Sequence, residues 1–208
     1  MTVRLMAVEA NEDAPTRAAY AYRDQHLYQK LDTVGTNLLT LRGLRTTPEF
    51  FTPGIAQHDP DYVVAVGHGD EDTLMGYRGV PLLEIGHYQA TDVAGRIIHL
   101  LACHTAATLG RDLVRNGARA FIGYNWFVMV HEGIVDEFLE CDTAIDEELL
   151  GGATIAQAYR RAIGLFNGHI ARFKGEGRLM KAALLETNRD SLMCPVTDSR
   201  LGRSNAAL

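Results

Sequence analysis

Two short segments hold the residues whose types and spacing could do chemistry. Val63-Val64-Ala65-Val66 runs into Gly67-His68-Gly69, and Ile97-Ile98-His99-Leu100-Leu101 runs into Ala102-Cys103-His104-Thr105. A thiol beside an imidazole is a nucleophile with its base. The base is needed because a free cysteine titrates near pH 8.5 and is mostly protonated at neutrality. Glycine on either side of His68 would let a substrate backbone approach closely. The backbone N–H groups of Gly69 and Cys103 are candidate donors to the oxyanion of an acyl transfer. Either segment alone reads as readily as a turn after a strand, or as a small buried core cysteine. Their occurrence at the ends of two apolar runs is what makes the pair a candidate site.

Those runs must be strands for the pair to meet. Two parallel neighbours would bring His68 and Cys103 together at their carboxyl ends, where open α/β sheets place their chemistry. The rest of the chain supports that layout. Val3–Val8 and Asn37–Leu41 read as strands. Between them Pro15 suits a first helical turn, Tyr20, Leu27, Leu31 and Val34 recur near helical spacing, and Gly35 suits a stop. Thr47–Gln57 reads as a short helix or loop. Asp70–Gly95 reads as an irregular excursion with a hairpin around Met75–Leu83. Thr108–Asn116 predicts a short helix and Ala118–Gly123 a strand. Val130–Leu150 predicts a helix with Ile134, Phe138, Ile145 and Leu149 on one face and a run of acids on the other. Thr154 with Gln157 predicts a capping box opening a helix through Ile155, Tyr159, Ala162, Phe166 and Ile170. Lys181–Glu186 is a last ordered segment. Strands alternating with helices predict an α/β fold, a doubly wound, mostly parallel sheet flanked by helices. Residues 1–198 read as one domain, and 199–208 as a small, polar tail that frays.

Composition narrows the function classes. The 208 residues carry 26 acidic and 20 basic side chains, a net charge of −6. No Lys/Arg-rich run is interleaved with aromatics, which disfavours nucleic acid as a partner. No apolar stretch reaches the roughly 18 residues of a bilayer span, and the first residues lack a signal-peptide pattern. Three scattered cysteines form neither a disulfide framework nor a CxxC metal pair. A cytoplasmic, reduced protein is the simplest expectation. Gly-x-x-x-x-Gly-Lys and Gly-x-Ser-x-Gly are both absent, so neither a phosphate loop nor a serine nucleophile elbow is expected. Asp70-Glu71-Asp72 lacks EF-hand spacing. No metal and no cofactor are expected.

The two segments, followed by Gly117-Ala118-Arg119-Ala120-Phe121-Ile122-Gly123 and Trp126-Phe127-Val128, resemble the caspase-like (clan CD) cysteine peptidase superfamily, nearest to its CHAT and gingipain-like branches. The resemblance is specific from about Tyr62 to Val128 and fainter to Asp190. It implies a caspase-like fold and a cysteine endopeptidase. It also implies His68 as base, Cys103 as nucleophile, Gly69 and Cys103 as oxyanion donors, and Trp126 as a wall of the substrate pocket. A basic-specific branch carries an acid two positions before the nucleophile; here that position is Leu101. An acid recognising Arg or Lys would have to come from the loop after the first strand, with Glu9, Glu12 and Asp13, or from the acidic helix. A preference for a basic residue before the cleaved bond is expected on that ground, the alternative being a pocket lined by Trp126 that accepts an apolar side chain. The partner implied is a peptide or protein substrate, with an activating protein partner as in relatives. The competing class is a caspase-like signalling module that is catalytically silent or partner-regulated and acts by binding.

Overall fold

The computed structural model describes residues 2–33 and 35–208. Val34, expected on the apolar stripe of the first helix, and Met1 lie outside the described residues. The chain begins with β1 (Val3–Glu9), α1 (Ala14–His26), β2 (Thr36–Arg42), α2 (Pro48–His58) and β3 (Tyr62–Val66). The short strands β4 (His68–Gly69), β5 (Thr73–Met75) and β6 (Pro81–Glu84) follow, then β7 (Ile97–Leu101), α3 (Leu109–Arg115) and β8 (Ala120–Tyr124). The chain continues through α4 (Val135–Leu150), α5 (Ile155–Gly175), α6 (Leu179–Ser191) and β9 (Leu192–Met193). The architecture is α/β. Six strands form one sheet in the order β2-β1-β3-β7-β8-β9, all parallel except the β8–β9 pair.

The central strands are buried along their whole length, as a sheet covered on both faces requires. Period-2 alternation sorts their side chains. Tyr62, Val64, Val66, Ile97, Leu101 and Ile122 pack with residues of α1, α4, α5 and α6. Val63, Ala65, Ile98, Leu100 and Phe121 pack with residues of α2 and α3. The excursion is a small antiparallel sheet, β4-β5-β6. Gly76 in this excursion lies against neighbouring backbone: a Cβ there would lie 1.8 Å from the Thr46 carbonyl oxygen.

Helix boundaries follow local chemistry. Asp13 N-caps α1, with Pro15 in its first turn. The helix ends at His26, and a 3-10 segment over Tyr28–Thr33 replaces the longer helix expected. The capping box of α5 forms between Thr154 and Gln157. The helix expected from Val130 begins only at Val135, so residues 127–134 form a loop after β8. The segment from Ser199, expected as a polar tail, packs onto the fold. Leu201 is fully buried, Gly202 bridges Ala120, and the backbone N–H groups of Ile155 and Ala156 donate to Ala206 and Ser204. Those contacts cap the start of α5, which is why a small, polar segment packs here. Among the described residues no helix is long and apolar enough to cross a membrane.

Candidate active site

Register brings the two candidate residues together. Val66 pairs with Leu101 across the parallel β3–β7 ladder. His68 and Cys103 each lie two residues beyond that pair, so alternation keeps both on the α1/α4 side of the sheet. Both line one cavity of about 180 Å³ at the carboxyl edge. His68 is half-exposed and Cys103 partly buried. The turn after Cys103 is held against the chain leaving β8: His104 N–H donates to the Trp126 carbonyl and Ala106 N–H to the Tyr124 carbonyl. His104 adopts φ = 60°, a left-handed conformation uncommon outside glycine. The Val128 N–H donates to Cys103 Sγ at 3.3 Å. Gly69 is packed against this turn. A Cβ there would lie 2.7 Å from the Cys103 carbonyl oxygen and 2.8 Å from Thr105 Cγ2.

The acids expected at a substrate pocket are placed differently from one another. Asp13 accepts from the Thr16 N–H at 3.0 Å and from its hydroxyl at 2.7 Å. Its other oxygen takes His68 Nε2 at 2.5 Å. Burial pushes the Asp13 carboxyl up, but the Thr16 and His68 hydrogen bonds outweigh it and hold the carboxyl below its ordinary range. Asp13 therefore sits behind the imidazole instead of in a pocket wall. Glu12 accepts from the Arg78 N–H across the cleft rim. Glu9 is a correction: it is fully buried and its carboxylate accepts from the Tyr28 hydroxyl. It faces inward because it ends a strand buried on both sides, where Arg23 offers a cation. Trp126 stands beside the cavity without lining it. It is 56% exposed and stacks edge-on against His104 and Phe127.

Behind the cavity lies a polar cluster with no exposed member. Arg23 of α1 pairs with Asp142 at 2.7 Å and Asp146 at 3.3 Å, and approaches Glu9 at 4.0 Å. His99 of β7 stands between the same aspartates, Nδ1 2.7 Å from Asp146 and Nε2 3.3 Å from Asp142. Tyr62 and Tyr124 donate to Asp146 and Asp142 at 2.5 and 2.7 Å. Burial alone would lower the His99 pKa, but the two aspartates overcome it and raise it to about 9. Burial pushes the Glu9 carboxyl up to about 7, with Arg23 and Tyr28 acting against it. Burial likewise opposes ionisation of Asp142, but His99 and Arg23 hold it well below the carboxylate range. The ligand atoms of His99, Asp142 and Asp146 lie within 4.8 Å of one another, a spacing that suits a cation. The Arg23 guanidinium already supplies that positive charge. Asp142 and Asp146 thus belong to the core, although the acids of α4 read as a solvated face in sequence. Their signal was positional: both fall on the helical stripe of Phe138, Ile145 and Leu149.

No family model and no curated protein matches the chain. Among solved structures, it is similar to a secreted C11 cysteine protease from Bacteroides thetaiotaomicron, determined with an irreversible peptide inhibitor. The likeness has a TM-score of 0.39 and 15% identity, and covers 60% of this chain and 49% of the protease. The chain spans about half the length of that protein.

Proposed function

We propose that this chain is a caspase-like cysteine peptidase. The observation that carries the reading is the meeting of His68 and Cys103 on one cavity, at equivalent positions beyond a register pair of adjacent parallel strands. Cys103 Sγ attacks the scissile carbonyl carbon and gives its proton to His68. The oxyanion is met by the N–H groups of Gly69 and Cys103. His68 returns the proton to the leaving amine, and the acyl-enzyme is hydrolysed by water that His68 deprotonates. Asp13 occupies Nε2 of His68, so Nδ1 is the nitrogen left to exchange the proton. Asp13 acts through the imidazole as a positioning residue and fixes its tautomer.

Covalent labelling tests this. A peptidyl acyloxymethyl ketone should modify Cys103 and neither Cys141 nor Cys194, read by peptide mass mapping. Both other thiols are buried, and burial raises the pKa of each, which suppresses the reactive thiolate. Cys103→Ala should remove labelling, and His68→Ala should slow it by about 10²–10⁴-fold. Absence of Cys103-dependent labelling with every peptidyl probe would leave the binding-module reading in place.

A further inference from the structure

We infer that the pocket beside Cys103 receives an unbranched or γ-branched aliphatic side chain, and that the chain cleaves after leucine or methionine rather than after arginine or lysine. The inference rests on the peptidase reading above and names the substrate class of that same site. Val66 and Leu101 come from the two strand ends that deliver His68 and Cys103, and Ala19 projects from α1. Val128 and Val130 close the far side from the loop after β8, with Pro15 at the edge. The polar lining side chains are His68, Cys103 and Thr16, and the Thr16 hydroxyl is already bonded to Asp13. Among the described residues no carboxylate lines the cavity.

Glu9, Glu12, Asp13, Asp142 and Asp146, five of the acids that sequence offers for a basic side chain, are engaged elsewhere, and none of the acids lines the cavity among the described residues. Glu9 is buried against Tyr28 and Arg23. Glu12 holds the Arg78 N–H. Asp13 holds Thr16 and His68. Asp142 and Asp146 are sealed under Arg23 and His99. A guanidinium entering this pocket would lose its hydration without gaining a partner, which is unfavourable. Shape agrees with chemistry. An apolar cavity of about 150 Å³ holds a benzene-sized guest, so about 180 Å³ accommodates a leucine or methionine side chain. Period-2 alternation explains the lining. The residues two before His68 and Cys103 must share their face, and in this chain they are Val66 and Leu101.

The test uses the intact chain and a set of fluorogenic peptides and matching acyloxymethyl ketones that differ only at the residue before the scissile bond. Leu and Met should exceed Arg and Lys in kcat/KM or labelling rate by about 100-fold, and exceed Ala by about 10-fold or more. Val130→Phe, which fills the pocket from a partly exposed loop, should reverse the order of Leu and Ala. Val128→Asp should raise the rate on Arg peptides relative to Leu. If Cys103-dependent turnover favours Arg or Lys in the unmodified chain, the apolar pocket is refuted while the dyad stands. If Val130→Phe leaves the Leu/Ala ratio unchanged, the side chain binds elsewhere and the assignment is refuted. If no probe of any specificity labels Cys103, the peptidase reading falls and this inference falls with it.

Discussion

Replacing Arg23 by methionine probes the buried cluster most directly. Methionine keeps most of the apolar stem and adapts to irregular space, so the change isolates the guanidinium. Asp142 loses its 2.7 Å partner and Asp146 its 3.3 Å partner, leaving two aspartates to share His99. Removing one member of a buried pair costs about 3–5 kcal/mol, against a total stability of about 5–15 kcal/mol for a domain. At about 2–4 °C per kcal/mol for a chain of this size, the melting temperature should fall by about 6–20 °C. The cluster also sets a pH dependence. His99 is raised from 6.5 to about 9, so its contribution, on the order of 3 kcal/mol, is full below pH 6.5 and is lost as pH climbs through 9. Glu9 is raised from 4.5 to about 7, so its contribution also lies at lower pH and is lost as pH climbs through 7. Asp142 is lowered, so its contribution is present above pH 3.8 and lost as pH falls further. With Asp142 contributing above 3.8 and Glu9 fully contributing only below 4.5, the parent chain should be most stable near pH 3.8–4.5 and decline toward pH 9. Arg23 is the strongest influence holding the Glu9 carboxyl down. The methionine variant should shift Glu9 higher, so its deficit should be larger at pH 8 than at pH 5.5. Urea denaturation at both pH values measures this. A deficit under about 1 kcal/mol at pH 8, or one larger at pH 5.5, would refute the charge assignment.

Two further substitutions separate positioning from packing. Asp13→Asn keeps a good N-cap for α1 but removes the charge behind His68. It should lower kcat by about tenfold or more, less than loss of the base itself, with KM and the urea midpoint nearly unchanged; an unaltered kcat would remove Asp13 from the mechanism. Gly69→Ala would force its Cβ to within 2.7 Å of the Cys103 carbonyl oxygen. It should slow Cys103 labelling by about 10²-fold through displacement of the turn that follows Cys103; labelling at the parent rate would show that the turn absorbs the methyl group freely.

The pair His68 and Cys103 was legible because apolar runs ending in small residues announce strand ends. Parallel register follows once strands alternate with helices. The fate of the acids was not legible. Glu9 and Asp13 are four residues apart in one loop-bound segment, yet one is fully buried and the other caps a helix at the surface. Asp142 finds Arg23 across 119 residues of chain and Asp146 finds His99 across 47. Partners at such separations leave no periodic trace, so an acidic run on an amphipathic helix reads as solvated until the fold brings a cation to it. The Val128 N–H on Cys103 Sγ is a backbone contact and carries no side-chain signature.

The position of the buried cluster bears on the site in front of it. Glu9 lies four residues before Asp13, which holds His68, and His99 lies four residues before Cys103. Arg23 belongs to α1, the helix that Asp13 caps and that contributes Ala19 to the pocket. Tyr62 opens the strand leading to His68, and Tyr124 closes the strand leading to Val128. One set of ion pairs and hydrogen bonds therefore clamps β1, α1, β3, β7, β8 and α4 beneath the carboxyl edge. An apolar core of equal volume could hold these elements at least as firmly. The paired charges add a directional constraint on how these elements align, which apolar contacts of equal volume lack. On this argument, replacing the cluster with apolar residues could preserve stability while loosening the alignment of His68 with Cys103. Arg23→Met combined with Asp142→Leu and Asp146→Leu should then recover much of the melting temperature lost by Arg23→Met alone and recover Cys103 labelling less completely. Equal recovery of both would show the cluster to be interchangeable with ordinary core.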